Sequence, residues 1–256
     1  MKAFKSNFSY LLISAEKIIL TKSMRGLLQK IPFLPPRIHG IFFDIRFTEP
    51  KVFRFLNNII KSNWVCFDIG AHCGIVSKHL AGLVGKTGFV YSFEPIESNI
   101  AILKNQLEKA GFSNNSQIIP YAIGKTNETL HMSRGDHSTT WHFNADSIIN
   151  LDGVKVECRT LEFLALDLKK PDFIKVDIEG AEVDMICGAG FLIDMVRPIW
   201  LMEMHGPESW SICDRFLEKN YVIFDLDGLN ISYQYSTANS YGHAVFCPVE
   251  KISLLK

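Results

Sequence analysis

No net charge is carried by the 256-residue chain, in which 27 lysines and arginines balance 27 aspartates and glutamates. That balance argues against a general nucleic-acid binder, whose phosphate contacts require a basic face. The sequence also lacks any apolar run of the ~18 residues needed to span a bilayer, and Glu16 and Lys17 interrupt the only candidate. Residues 6 to 15 have neither the unbroken apolar core nor the small-residue cleavage site of a secretory signal, so a cytoplasmic protein is expected. The six cysteines, Cys66, Cys73, Cys158, Cys187, Cys213 and Cys247, form no C-x-x-C pair. Free thiols in a reducing compartment are therefore expected, without zinc. Internal repeats and low-complexity tracts are missing as well.

The neutral total conceals an uneven distribution. Residues 1–40 carry Lys2, Lys5, Lys17, Lys22, Arg25, Lys30 and Arg37 against Glu16 alone. With Phe4, Phe8, Tyr10, Leu11, Leu12, Ile18, Ile19 and Leu20 interspersed, this basic amphipathic arm has two readings. It is a helix packed on the domain with its charges solvated, or a peripheral contact that lies on an anionic membrane or guides an acidic acceptor. The prolines of Ile31-Pro-Phe-Leu-Pro-Pro36 end it. A short strand or hairpin is expected over 39–47 and a helix over 49–60. Residues 1–60 thus read as an N-terminal helical extension, and 61–250 as one large α/β domain.

Residues 64 to 95, WVCFDIGAHCGIVSKHLAGLVGKTGFVYSFEP, organise that domain. An apolar run ends at Asp68, a glycine turn follows through Gly70 and Gly74, then a helix, then a second apolar run that ends at Glu94. Glycines let the backbone turn sharply and approach a ligand. A carboxylate at the tip of the next strand lies where it can accept from the two hydroxyls of a ribose. The spacing is D-x-G-x-x-x-G rather than G-x-G-x-x-G. A pyrophosphate is poorly served by an acid beside the turn, whereas S-adenosylmethionine carries a sulfonium and an ammonium and no phosphate. The acid favours the latter.

Beyond this segment the pattern predicts a helix over 96–111, a third strand over 116–122, an edge strand over 154–158, a helix over 161–168 behind Thr160, a strand over 198–205, a helix over 207–219 and strands over 221–225 and 241–247. Strands alternating with helices of this length give a doubly wound, mostly parallel sheet. Residues 124–154, with His131, His137, Trp141 and His142, read as an irregular insertion of the kind that either holds substrate or is simply solvated. In PDFIKVDIEGAE, residues 171–182, strand alternation puts Lys175, Asp177 and Glu179 on one face. Charges are tolerated there at the carboxyl edge of the sheet, where ligands bind. Glu182 reads as an acid placed favourably in the first turn of the next helix. Glu203 and His205 share a face of the following strand.

Together DIGAHCG (68–74), FEP (93–95), IKVDIEGAE (174–182) and EMH (203–205) resemble the FkbM family of S-adenosylmethionine-dependent methyltransferases over roughly residues 60–248. The resemblance implies a Rossmann-like methyltransferase fold with a seven-stranded sheet and methylation of a hydroxyl on a sugar, glycan or related metabolite. It assigns Asp68, Gly70, Ala71, His72, Gly74, Glu94, Pro95, Ala122 and Asp177 to the cofactor. His72 stands where the family usually has asparagine.

Such a transfer is in-line, and positioning is worth up to about 7–11 kcal/mol. His205 and Asp177 are expected around the acceptor hydroxyl, with Lys175 and Glu179 orienting them, because an imidazole near ~6.5 needs the least adjustment to act as a base. No metal is assigned, although Asp177, Glu179 and Glu203 could offer oxygens to Mg²⁺ in a metal-assisted variant. Two other classes remain open: a catalytically silent methyltransferase-like binding module, and an NAD-dependent oxidoreductase on the same fold.

Overall fold

The computed structural model describes residues 50–134, 141–143, 153–232 and 242–255. The basic arm, the expected hairpin at 39–47 and His137 lie outside the described residues, as do the side chains of Trp141 and His142.

Helix α1 (Pro50–Ile59) buries Val52, Leu56 and Ile59, three positions on one face. It leads into β1 (Val65–Ile69), α2 (Ile75–Val84), β2 (Phe89–Phe93), α3 (Glu97–Lys109) and β3 (Ser116–Ile119). Further along come β8 (Phe173–Val176), α5 (Glu182–Cys187), β9 (Ile199–Met204), α6 (Ile212–Glu218), β10 (Tyr221–Phe224) and β11 (Gly242–Pro248). These strands form a seven-stranded sheet in the order β10-β11-β9-β8-β1-β2-β3. The run from β9 to β3 is parallel, and β11 pairs antiparallel with both β9 and β10. Strand order reverses between β1 and β8, which opens a crevice at their carboxyl ends.

Side-chain alternation makes two apolar layers from one sheet. Phe67, Ile69, Ile174, Val176, Trp200 and Met202 face one layer with Met185, Ile193 and Phe216. Cys66, Val90, Phe173, Ile199 and Leu201 face the other with Leu56, Leu80 and Val84. None of the six cysteines is in a disulfide, and Cys187 alone among them is exposed. No helix among the described residues is long and apolar enough to cross a membrane.

Several expectations about the elements change. The third strand stops at Ile119 because Pro120 has no N–H for the ladder. Ala122–Ile123 then forms β4 in a different sheet. The stretch read as an irregular insertion also contains strands: β5 (Glu128–Arg134), β6 (Trp141–Phe143) and β7 (Val154–Arg159) join β4 in a four-stranded sheet ordered β4-β7-β5-β6. Its small core is Ala122, Met132, Val156 and Cys158 against Ile96. Polar outward residues masked that alternation, so β7 is an interior strand of the small sheet rather than an edge. The helix expected over 161–168 is the single turn α4 (Leu161–Leu164), whose first turn Thr160 Oγ1 caps by accepting from Phe163 N at 3.1 Å. That expected over 207–219 begins as a 3-10 turn, Pro207–Ser211, before α6.

Candidate active site

The glycine bend after β1 is held by its own neighbours. Gly70 N and Ala71 N both donate to Phe93 O at 3.0 Å, which ties the bend to the tip of β2. Gly70 adopts φ 76°, and a Cβ there would lie 1.8 Å from Asp177 O. Gly74 adopts φ 86°, and a Cβ would lie 2.3 Å from Leu103 Cδ1 on α3. Main chain thus crowds Gly70, whereas at Gly74 the near atom is a side-chain tip and the positive φ is what calls for glycine. His72 is also left-handed, at φ 50°, a conformation that asparagine and histidine tolerate better than most residues.

Glu94 joins the bend to α3. Its Oε2 accepts from His72 N at 2.8 Å, while Oε1 accepts from Ile96 N at 3.0 Å and Asn99 Nδ2 at 3.1 Å. Burial pushes its pKa up, and those three bonds pull partly the other way. A carboxylate has about four acceptor positions, so Oε2 retains room for one further donor rather than the two ribose hydroxyls expected. Pro95 follows it half-buried, and Ala71 is buried beside the bend. Ala122 is buried in the small sheet, paired with Cys158.

A polar row crosses the sheet behind the bend. Asp68 on β1 lies in register with Ser92 on β2 and Lys175 on β8. Asp68 Oδ2 accepts from Ser77 Oγ at 2.6 Å, Ser77 Oγ accepts from Ser92 Oγ at 2.8 Å, and Lys175 Nζ stands 3.5 Å from Asp68 Oδ1. Asp68 has no exposed surface. The expectation that it touches the cofactor is corrected on that ground: its charge acts through Lys175. Lys175 Nζ also donates to Asp177 Oδ2 at 3.2 Å and Gly70 O at 3.4 Å. Burial alone would lower the lysine's pKa, but Asp177 and Asp68 overcome it and raise it. Lys175 is thus a fixed cation bracing the bend and Asp177, and Asp177 in turn is held below the usual carboxylate range by Lys175 and His205 against its own burial.

Beyond Val176 the strand alternation ends: Glu179 is left-handed at φ 53° and Gly180 at φ 99°. This turn aims carboxylates at His205, just past the tip of β9. His205 Nε2 lies 3.8 Å from Asp177 Oδ1, 3.7 Å from Glu179 Oε2 and 3.7 Å from Glu203 Oε1. Its Nδ1–H donates to Glu182 Oε1 at 2.8 Å. Burial lowers the imidazole pKa, but the Glu182 bond and the surrounding carboxylates reverse this and push it up to about 9. His243, opposite Glu203 on β11, adds a second imidazole 3.8 Å from Glu203 Oε2.

Asp177, Glu203 and His205 each bring one potential ligand atom within 4.8 Å of the others. A divalent cation there would have to displace the imidazolium proton and compete with Lys175, which already answers these carboxylates. The residues expected to surround the acceptor, His205, Asp177, Glu179 and Lys175, do converge, and Glu94 closes the other side of the bend one strand beyond β1. Sequence reading missed Ser77, Ser92, Asn99 and His243; Glu182 does stand in the first turn of its helix, as expected, but its side chain is fully buried and turned to His205, which the sequence did not show. Only the in-register position of Ser92 had a signal, a lone serine in an apolar strand.

The methyltransferase FkbM domain pattern matches residues 68–225. Among solved structures, methyltransferase FkbM from Methylobacillus flagellatus KT is 17% identical, with a TM-score of 0.52 over 87% of this chain and 57% of that one. A methyltransferase from Geobacter sulfurreducens is 9% identical, with a TM-score of 0.49 over 90% and 98%. A SAM-dependent O-methyltransferase from Thermotoga maritima is 11% identical, with a TM-score of 0.45 over 90% and 72%. The chain spans little more than half the length of the Methylobacillus protein, and that likeness concerns the fold. The search of curated proteins gives no match.

Proposed function

The chain belongs to the FkbM methyltransferase family, and from that membership we propose that it moves a methyl group from S-adenosylmethionine to a hydroxyl oxygen of a sugar, glycan or related metabolite. What carries the reading is the gathering of Asp177, Glu179 and Glu203 around His205, at strand tips beside the glycine bend. A cationic adenosyl donor suits a crevice with this surplus of carboxylates. Glu94 Oε2 would take one ribose hydroxyl. Bound there, S-adenosylmethionine supplies a methyl group on a sulfonium, whose C–S bonding pair leaves with sulfur as the acceptor oxygen bonds to carbon.

The protein's part is positioning and proton transfer. Asp177 and Glu203 hold the acceptor hydroxyl and the cationic charge, and His205 Nε2 takes the hydroxyl proton. With its pKa up at about 9, His205 is mostly imidazolium at neutral pH, and arrival of a cation beside it pushes that value down. The rate should therefore climb as pH rises from 7 towards 9.

Calorimetry with S-adenosylhomocysteine and with NADH, followed by mass spectrometry of hydroxylated sugars and glycans incubated with methyl-labelled donor, tests the proposal. Binding of the homocysteine product and a one-methyl gain on an acceptor hydroxyl are expected. Binding of NADH instead would make the protein an oxidoreductase, and product binding without any transfer would make it a binding module. The basic arm is proposed as the part that contacts a membrane or steers an acidic acceptor, and co-sedimentation of the full chain with anionic vesicles tests it.

A further inference from the structure

The reading above uses three of the four carboxylates around His205 and leaves the fourth, Glu182, without a task. It is the one most firmly held. Glu182 opens α5 with its side chain wholly buried. Its Oε1 accepts from His205 Nδ1 at 2.8 Å and from Gly180 N at 3.1 Å, and its Oε2 accepts from Ser209 Oγ at 2.8 Å. Two of these donors come from segments that flank the crevice: Gly180 from the turn after β8 and Ser209 from the 3-10 turn after β9. The carboxylate is thus fixed from two directions before it meets the imidazole.

A ring whose Nδ1–H is tied to a rigid acceptor has only one nitrogen left for chemistry. That nitrogen, Nε2, faces Asp177, Glu179 and Glu203 at 3.7 to 3.8 Å, with Lys175 beyond Asp177 and His243 beyond Glu203. In the neutral ring, a proton on Nδ1 leaves the lone pair on Nε2; without an anchoring acceptor, both tautomers and other ring orientations become accessible. Ser209 and Gly180 do for Glu182 what Glu182 does for His205.

We propose that Glu182 is a positioning residue that fixes the tautomer and orientation of His205 so that Nε2 presents its lone pair to the acceptor hydroxyl, with Ser209 locking Glu182 in place. The consequence is a relay of restraint from the α5 start to the β9 tip, with no proton passing to Glu182. The kinetic part of this inference rests on the methyl-transfer reading; the structural part does not.

The test uses the full chain with ¹⁵N-labelled histidine, in E182Q, S209A and wild type. In wild type well above pH 9, where the ring is mostly neutral, the His205 resonances should show a proton on Nδ1 and a bare Nε2. E182Q, whose amide can turn an N–H towards Nδ1, should shift those resonances towards the Nε2–H tautomer, while the affinity for S-adenosylhomocysteine stays within about twofold. Once an acceptor is in hand, E182Q should lower kcat by about 10²–10⁴ with KM for the acceptor little changed, since misplacing a general base removes most of its contribution. S209A should give the same spectral change in smaller measure and a loss of up to about tenfold, the worth of one hydrogen bond. If E182Q does not fold, S209A decides. Histidine spectra unchanged from wild type in the folded variants would overturn the inference. Failure to find any methyl acceptor would strike the function reading and leave the spectral result standing.

Discussion

His205 shows how a single side chain changes its chemistry with its neighbours. Four carboxylates surround it, and one of them, Glu182, is within hydrogen-bonding distance. Their combined field outweighs burial and lifts the imidazole from its ordinary ~6.5 to about 9. A pKa raised on folding stabilises the protein most when the group is protonated in both states. The His205 contribution should accordingly be complete below about pH 6.5 and fade as pH rises through about 9. Thermal unfolding of wild type and His205→Ala across pH 6 to 10 checks this: the gap between them should narrow as pH rises, and a constant gap would contradict the assignment. Because Lys175 and the imidazolium already answer Asp177 and Glu203, exhaustive chelation should leave the transfer rate unchanged. A rate that collapses and returns with Mg²⁺ would assign the cluster to a metal.

At the scale of elements, the glycine bend is a packing joint between β1, β2 and the turn after β8. Gly70 cannot gain a Cβ without meeting Asp177 O at 1.8 Å, and its φ of 76° disfavours any side chain. Gly180 is also at positive φ, 99°, yet nothing lies within 4 Å of where its Cβ would be. Gly70→Ala should therefore cost upwards of about 3 kcal/mol, backbone strain plus a clash against main chain, and Gly180→Ala about 1–2 kcal/mol from strain alone. Urea unfolding of the two variants separates these effects. Equal losses would mean that the contact with Asp177 O is relieved easily and that Gly70 is needed only for its backbone angle.

On the scale of the whole molecule, the two edges of the parallel sheet divide the work. The carboxyl ends of β1, β2, β8 and β9 carry the candidate site. At the opposite edge Arg197, just before β9, donates from Nε and Nη2 to Glu250 and from Nη1 to Lys219 O, and Lys251 Nζ donates to Arg197 O. This clasp ties the closing turn of the chain to the start of β9 and the end of α6. Arg197→Ala should lower stability by about 1–2 kcal/mol, a modest figure because Glu250 is half exposed. S-adenosylhomocysteine affinity, measured by calorimetry in the same variant, should not change. A loss of affinity would mean that the edges are coupled through the sheet.

The sequence by itself determined the main sheet and which side chains stand at its carboxyl tips. Apolar runs of strand length, broken by D-x-G-x-x-x-G and ending in Glu94, Asp177, Glu203 and His205, place those side chains at carboxyl tips because strand direction and period are local properties. Only the tertiary structure decided what each group does there. Asp68 sits in register with Lys175 and Ser92 and so is sealed from the crevice, Gly70 makes room for Asp177, and Glu182 turns inward to hold His205. These outcomes depend on which residues, distant along the chain, come to share a register or a buried contact, and no spacing along the chain encodes that meeting.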